Sequence, residues 1–139
     1  MSVNDMKFDK KTKEKLGIIA TPPEVVDFIL RSVDDVLQKE FGRRLTDEDV
    51  NILDPFTGDG LFIQRLIDSD LIDDKDLTRK YDSEIRANDI LPVCVEAARV
   101  NIEDAYERRT GTKRRFAGLE LKDTFMEDEN GTQCTQSNL

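Results

Sequence analysis

The 139-residue sequence contains no histidine, no tryptophan, only two cysteines and four prolines, and its apolar runs are short. The lack of histidine excludes imidazole acid–base catalysis and histidine-ligated zinc. Cys94 and Cys134 lie too far apart for a zinc or redox motif, which is typical of reduced thiols in the cytoplasm. No run approaches the roughly 20 apolar residues of a membrane span, and there is no signal-peptide pattern. We therefore expect a cytoplasmic protein without a metal site.

Charged residues are abundant and unevenly placed. They make up 37% of the chain, and the net charge of −9 opposes tight nucleic-acid binding by this chain alone. Residues 1–16 are predicted to form a basic, flexible arm, and a second basic cluster surrounds the turn at 110–112. For both regions, solvated surface is a simpler interpretation than contact with phosphate. Residues 127–139 have almost nothing to bury and are predicted to form a disordered tail. Residues 17–126 remain as one folded domain.

A glycine-containing turn carries most of the functional information. A short apolar run ends in Asp54 and Pro55, and Gly58 and Gly60 follow before an amphipathic segment. This order predicts a buried strand, a tight turn and a helix whose free N–H groups face a ligand. Asp54 can accept hydrogen bonds from an ammonium or hydroxyl group. No Lys-Ser/Thr pair follows, so this is not a Walker loop, and a purely structural turn is the alternative interpretation.

A helix start precedes this turn. Thr21 is predicted to cap the helix, with a proline at its first position and Glu24 three residues after the cap. Apolar residues then recur at helical spacing as far as Phe41. By itself, this pattern is explained by a capped helix that covers the core.

The periodicity along the rest of the chain predicts an α/β fold. Helices are expected at 22–41, 60–69 and 92–109, a helical turn at 76–81, and strands at 50–54, 84–89 and 116–122. Strand–helix–strand–helix–strand behind a leading helix is the first half of a doubly wound sheet. The three strands should be parallel and the crossovers right-handed.

Three segments in this order resemble adenine-specific DNA methyltransferases, in particular the modification segments of single-chain restriction–modification enzymes. They are the helix start at 21–24, the glycine turn at 54–60 and the acidic strand end at 87–90. The resemblance runs from about Gly17 to Met126. It implies a partial Rossmann-like methyltransferase fold, S-adenosyl-L-methionine as cofactor, and contact with DNA only as part of a complete enzyme.

The resemblance also implies how the methionine end of the cofactor would be held. Thr21 and Pro22 would begin the helix that closes over this end. Asp54, Gly58 and Gly60 would form the pocket for its amino and carboxylate groups.

The remaining implied contacts surround the nucleoside. Asp89 would accept hydrogen bonds from the ribose hydroxyls, and Ile90 would offer an apolar edge to the adenine ring. Asp123, after the third strand, would lie near the adenine amine. Phe56 would line the pocket of the methionine end.

One part of the family's machinery has no counterpart in this sequence. Its members act on the adenine amine with an Asn/Asp-Pro-Pro-aromatic loop after the fourth strand. The prolines here stand at 22, 23, 55 and 92, so none can supply that loop. The sequence therefore indicates the cofactor-binding half, and this chain alone is predicted to be inactive. A non-catalytic α/β module that binds S-adenosylmethionine or a partner protein as a regulator is the alternative. An acidic DNA mimic would explain neither the glycine turn nor the helix start.

The family's strand order predicts an exposed sheet edge. In this family the first strand lies between the second and the fourth. Without a fourth strand, the strand containing Ile52 and Leu53 would keep one open hydrogen-bonding edge. We therefore expect weak cofactor binding, and either a homodimer through that edge or pairing with a complementary methyltransferase half.

Overall fold

The computed structural model describes residue 11 and residues 21–126. It contains helix α1 (Pro23–Phe41), strand β1 (Ile52–Asp54), helix α2 (Leu61–Asp68), helix α3 (Asp74–Arg79), a π-helix (Lys80–Glu84), strand β2 (Ile85–Asp89), helix α4 (Pro92–Thr110) and strand β3 (Leu119–Leu121). Every predicted helix and strand is present, so the partial Rossmann-like fold is confirmed. The predicted tail at 127–139 and, residue 11 apart, the predicted arm at 1–16 lie outside the described residues.

The three strands form one parallel sheet in the order β1-β2-β3, as predicted. Side chains of a strand alternate between the two faces. Ile85 and Ala87 of β2 are buried on the face that the helices cover. Arg86 and Glu120 occupy the opposite face and are exposed. The helices therefore cover a single face of this sheet.

The segment predicted as a helical turn at 76–81 is instead the full helix α3, continued by the π-helix. Lys80, in the π-helix, is completely buried. Its ammonium group donates to the backbone carbonyls of Asp47 and Val50 and pairs with Glu84 at 3.0 Å. A buried charge needs such partners. Because two of them are carbonyls of the segment that precedes β1, Lys80 fixes this segment to the π-helix.

The third strand is shorter than the predicted 116–122. Phe116 is completely buried and packs against the ring of Tyr81, with 5.1 Å between centroids. The backbone joins the sheet only at Leu119. Phe116 is therefore a core residue that precedes the strand.

Helix α4 covers the sheet and forms the centre of the core. It packs against α2 and against β2 and β3. Its buried residues are Cys94, Val95, Ala97, Ala98, Asn101, Ile102, Ala105 and Tyr106. Cys94 is a small, completely buried core residue, and burial raises the pKa of its thiol to about 11.

The basic cluster at the end of α4 is largely engaged within the protein. Arg109 donates to the backbone carbonyls of Ile67 and Ser69 at 2.8 and 3.1 Å. Arg108 and Arg114 form ion pairs with carboxylates of α2 and the π-helix. These contacts satisfy carbonyls at the end of α2, so the cluster is mainly structural.

Helix α1 differs from the prediction in two respects. Its cap is Pro22, which has no side-chain acceptor, because Pro23 occupies the first helical position and leaves Thr21 one residue too early. The carbonyl of Pro22 accepts instead from the amides of Val25 and Val26. The apolar stripe of α1 also covers the core only in part: Val26 is buried and Leu30 and Leu37 pack against the core, whereas Ile29, Val33 and Phe41 are exposed.

None of the helices within the described residues is both long and apolar enough to cross a membrane.

Candidate functional site

Two acidic strand ends meet the glycine turn at one edge of the sheet. Asp54 ends β1 and Asp89 ends β2, and the two strands are parallel neighbours. One carboxylate oxygen of Asp89 accepts from the amide of Gly58 at 3.0 Å, and the other accepts from the amide of Leu91 at 3.0 Å. The structure therefore brings together the glycine turn and the acidic strand end that the sequence separates by 31 positions. In open parallel sheets, ligands bind at this carboxyl edge.

Asp54 is the electrostatically unusual group of this edge. Its Oδ1 accepts from the amide of Phe56 at 3.2 Å, whereas its buried Oδ2 has no hydrogen-bond partner. Burial raises the pKa of Asp54, and the neighbouring charge of Asp89 acts in the same direction. The Thr57 hydroxyl lowers this pKa somewhat but reaches no hydrogen-bond geometry, since its buried oxygen is also unpartnered. An unpaired, buried carboxylate oxygen is an acceptor for a cationic or hydroxyl donor.

The two glycines of the turn have different surroundings. Gly58 and Gly60 both have positive φ, at 55° and 84°, which only glycine adopts without strain. A Cβ on Gly60 would lie 3.1 and 3.2 Å from Ala98 of α4, and the Gly60 amide donates to Thr57 within the turn. The lack of a side chain at Gly60 therefore lets the turn pack closely against α4. The amide of Gly58, by contrast, donates to Asp89.

An apolar surface borders the acidic pair. Phe56 and Ile90 are 61% and 59% exposed, and each closely follows a strand. The first of these strands was predicted to be buried, but its three residues are only half-buried. The ring of Phe125 lies 5.6 Å from the ring of Phe56. Exposed rings at a strand edge can pack against a planar ligand group. No sequence pattern pointed to Phe125, because it follows the last strand by several residues.

A polar bridge joins the three strand ends, and sequence reasoning missed it. Asn88 donates to the carbonyl of Pro55 at 3.0 Å and to the hydroxyl of Thr124 at 2.8 Å. The Thr124 hydroxyl donates to the same Pro55 carbonyl at 2.9 Å. The available signal was Asn88 itself, a polar residue at a buried position of a predicted strand.

The other predicted residues lie at the margin of this site. Asp123 accepts from the amide of Phe125 at 3.0 Å, so its carboxylate shapes the turn after β3. The hydrogen bonds of Pro22 are local to α1, and within residues 21–126 none joins Thr21 to the strand ends. Helix α1 is nevertheless tied to α2 near the glycine turn, because Asp27 accepts two hydrogen bonds from Arg65 at 2.9 and 2.5 Å.

No protein-family model and no curated protein matches the chain. Several solved structures are similar to it, and three of them are described next. The ATP-dependent Type ISP restriction–modification enzyme LlaBIII bound to DNA has a TM-score of 0.76 and 42% identity, and the match covers 93% of this chain and 9% of that one. A nuclease-deletion mutant of the Type ISP restriction–modification enzyme LlaGI, in complex with a DNA substrate mimic, has a TM-score of 0.72 and 45% identity over 78% of this chain and 10% of that one. A DrdV–DNA complex has a TM-score of 0.73 and 38% identity over 78% of this chain and 11% of that one.

These matches agree on one segment of much longer polypeptides. The chain spans about a tenth of the length of each solved structure that it resembles. It is thus similar, in fold and in sequence, to one segment of Type ISP restriction–modification enzymes.

Proposed function

We propose that this chain is the S-adenosyl-L-methionine-binding half of a DNA adenine methyltransferase of a restriction–modification system. The observation that carries the proposal is the buried, unpartnered Oδ2 of Asp54, next to Asp89 and the amide of Gly58. The cofactor has an ammonium group and ribose hydroxyls, which are donors that two neighbouring carboxylates can accept. The similarity to restriction–modification enzymes that were solved with DNA supports the choice of reaction class.

In this proposal the predicted residues have separate tasks. Asp54 accepts from the ammonium group of the cofactor, which lowers the free energy of the ionised carboxylate. Asp89 accepts from the ribose hydroxyls, and it can keep its Gly58 contact because each carboxylate oxygen has more than one acceptor position. Phe56 and Ile90 provide the exposed apolar surface that the flat or aliphatic parts of the cofactor would cover.

The first helix and the turn after β3 complete the proposed pocket. Thr21 and Pro22 begin α1, and Asp123 lies in the turn after β3, where it would approach the adenine amine. Gly60 contributes by allowing the turn to approach α4. Bound S-adenosylmethionine would supply an electrophilic methyl group, and this chain's residues would hold and orient it.

Calorimetric titration with S-adenosylmethionine tests the proposal. We expect weak but saturable binding. Asp89→Ala should weaken it by about 1–3 kcal/mol, because charge-assisted hydrogen bonds are lost. Asp70→Asn, which removes the charge of an exposed residue after α2, is the control and should bind like the unmodified chain. No heat and no thermal shift at saturating cofactor would contradict the proposal.

A second measurement separates binding from catalysis. Because the sequence has no Asn-Pro-Pro-aromatic loop, we expect no methyl transfer from labelled cofactor to mixed-sequence DNA. Adenine labelling above background, absent in the Asp89→Ala variant, would show that a different loop performs the chemistry.

A further inference from the structure

Within residues 21–126, the helices cover one face of the sheet, and the other face carries a buried polar side chain. Arg86 and Glu120 are exposed on this face, whereas Asn88 is only 6% exposed. Asn88 is buried because the turns after β1 and β3 fold over it, and its side chain reaches Pro55 in one turn and Thr124 in the other. A buried amide loses its contacts with water, so it is retained where its hydrogen bonds have a specific task.

The bridge between these turns is a closed set of three hydrogen bonds. The two hydrogens of the Asn88 amide donate to the carbonyl of Pro55 and to the hydroxyl of Thr124, at 3.0 and 2.8 Å. The Thr124 hydroxyl donates its own hydrogen to the same carbonyl at 2.9 Å. Every donor of the two side chains and both lone pairs of the carbonyl are therefore used. Removal of the hydroxyl would leave one donor of Asn88 without a partner.

Asn88 also holds the glycine turn through its backbone. Its carbonyl accepts from the amide of Thr57 at 3.0 Å, in addition to the contact of its side chain with Pro55. The residues on both sides of Phe56 are thus fixed by one residue of the neighbouring strand. The placement of the exposed Phe56 ring therefore depends on Asn88.

Thr124 attaches the turn after β3 to the rest of the site. The hydrogen bond between Asp123 and Phe125 stays within this turn, whereas the Thr124 hydroxyl reaches Pro55 at the end of β1. The ring of Phe125 is 83% exposed, so burial contributes little to its placement. Its distance of 5.6 Å from the ring of Phe56 therefore depends on the hydrogen bonds of Thr124.

We propose that Asn88 and Thr124 are positioning residues, which hold the turn after β3 against the glycine turn and thereby raise the affinity of the site for its ligand. The donors of both side chains are used within the bridge, so these residues act on the ligand through their neighbours. Every candidate ligand residue at the strand ends that lies next in sequence to the bridge would be affected: Asp54, Phe56, Asp89, Asp123 and Phe125. The choice of ligand rests on the proposed function, whereas the attachment of the two turns to each other does not.

Two substitutions of Thr124 separate its hydroxyl from its shape. Thr124→Val removes the hydroxyl and keeps the shape, whereas Thr124→Ser keeps the hydroxyl. In calorimetric titration with S-adenosylmethionine, we expect Thr124→Val to bind about three- to tenfold more weakly, because a hydrogen bond is lost and a donor is left unpaired. Thr124→Ser should restore binding to within about twofold. Thr110→Val is the matched control and should bind like the unmodified chain, because the Thr110 hydroxyl donates to the carbonyl of Tyr106 at the far end of α4.

Fluorescence measures the attachment of the turn without any ligand. The sequence has no tryptophan, so Phe125→Trp introduces a single reporter at an exposed position. Well below the melting temperature, its anisotropy should fall when Thr124→Val is added and should be retained with Thr124→Ser. A general loss of stability would lower the melting temperature and leave the anisotropy of the folded chain unchanged.

Asn88→Ala removes both donors of the bridge and should lower the anisotropy and the affinity at least as much as Thr124→Val. Unchanged anisotropy in either variant would overturn the role of the substituted residue. Weaker binding that Thr124→Ser does not restore would overturn the proposal, and so would a lower anisotropy without any change in affinity. If the unmodified chain bound no S-adenosylmethionine, the proposed function would fail, and the anisotropy alone would decide whether the bridge holds the two turns together.

Discussion

Helices α1 and α4 have the same length and the same ends, but their surroundings are opposite. Each has 19 residues, a proline in its first turn and a glycine of positive φ after its last residue. Helix α1 has a regular apolar stripe and buries only Val26 and Asp34. Helix α4 also has one face of mostly apolar residues, and it buries eight residues on that face. An apolar stripe thus shows that a helix needs a neighbouring surface, and it does not show that the same chain supplies one.

Small side chains explain how closely the buried face of α4 packs. Ala97, Ala98 and Ala105 let its backbone approach the neighbouring elements closely, and Gly60 of the turn lies against Ala98. Close packing of small residues leaves this face fully covered by the same chain. On the side of α1, large apolar residues point toward a groove that the described residues leave open.

The largest expected difference is in the free energy of unfolding, when isoleucine is replaced by alanine on each of the two helices. Ile102→Ala on α4 removes a completely buried side chain and should lower the free energy of unfolding by about 2–5 kcal/mol. Ile29→Ala on α1 should cost about 1 kcal/mol or less, since Ile29 is partly exposed and alanine favours the helix. Urea unfolding followed by circular dichroism measures both. Equal losses would show that α1 is buried in solution.

Two glycines give the next comparison. Gly60→Ala should cost about 2–4 kcal/mol, because positive φ is strained for alanine and the new methyl group meets Ala98. Gly42→Ala, after α1, should cost about 1–2 kcal/mol, because φ is also positive but nothing lies within 4 Å of the new Cβ. The same unfolding experiment applies. A smaller cost at Gly60 than at Gly42 would mean that the glycine turn is not packed on α4.

Asp54 should give a smaller effect of opposite sign. Its folded-state pKa is raised by burial, so its ionisation costs stability as the pH rises through that pKa. Asp54→Asn should therefore raise the melting temperature at pH 7, and the gain should shrink as the pH falls to 3.8 and below, where the carboxyl group becomes protonated in the unfolded state as well. The same variant should lose cofactor binding. Asp70→Asn is the control, and a gain that is unchanged across this pH range would contradict the pKa argument.

The smallest effect concerns reactivity rather than stability. Burial raises the pKa of Cys94 on α4 to about 11 from an ordinary 9.0, so about a hundredth of the usual thiolate is present near pH 8. In a Cys134→Ser background, a thiol reagent should modify Cys94 at least about 100-fold more slowly than after unfolding in urea. Comparable rates would show that α4 opens readily.

Much of the fold followed from local patterns, and the departures have identifiable causes. The helices 22–41 and 92–109 were predicted to within a residue at each end, because a proline in the first turn and apolar periodicity are local signals. The extent of α3 and the π-helix was missed because it depends on Lys80, whose partners Asp47 and Val50 lie some thirty positions away. At the site, the acidic strand ends were found from sequence, whereas the bridge from Asn88 to Thr124 requires the register of three strands.

The sequence by itself determined the order of the elements and the glycine turn between β1 and α2, because both depend on residues close together in the chain. The parallel sheet followed from that order, since strands joined by a crossover helix run parallel. Only the tertiary structure decided which apolar surfaces are covered. Gly60 meets α4 because the turn and the second crossover pack on the same face of the sheet. The part of the α1 stripe around Val33 stays exposed because no strand within residues 21–126 occupies the outer edge of β1. A side chain is buried only when a second surface packs against it, and the apolar pattern of one helix does not show whether that second surface is present.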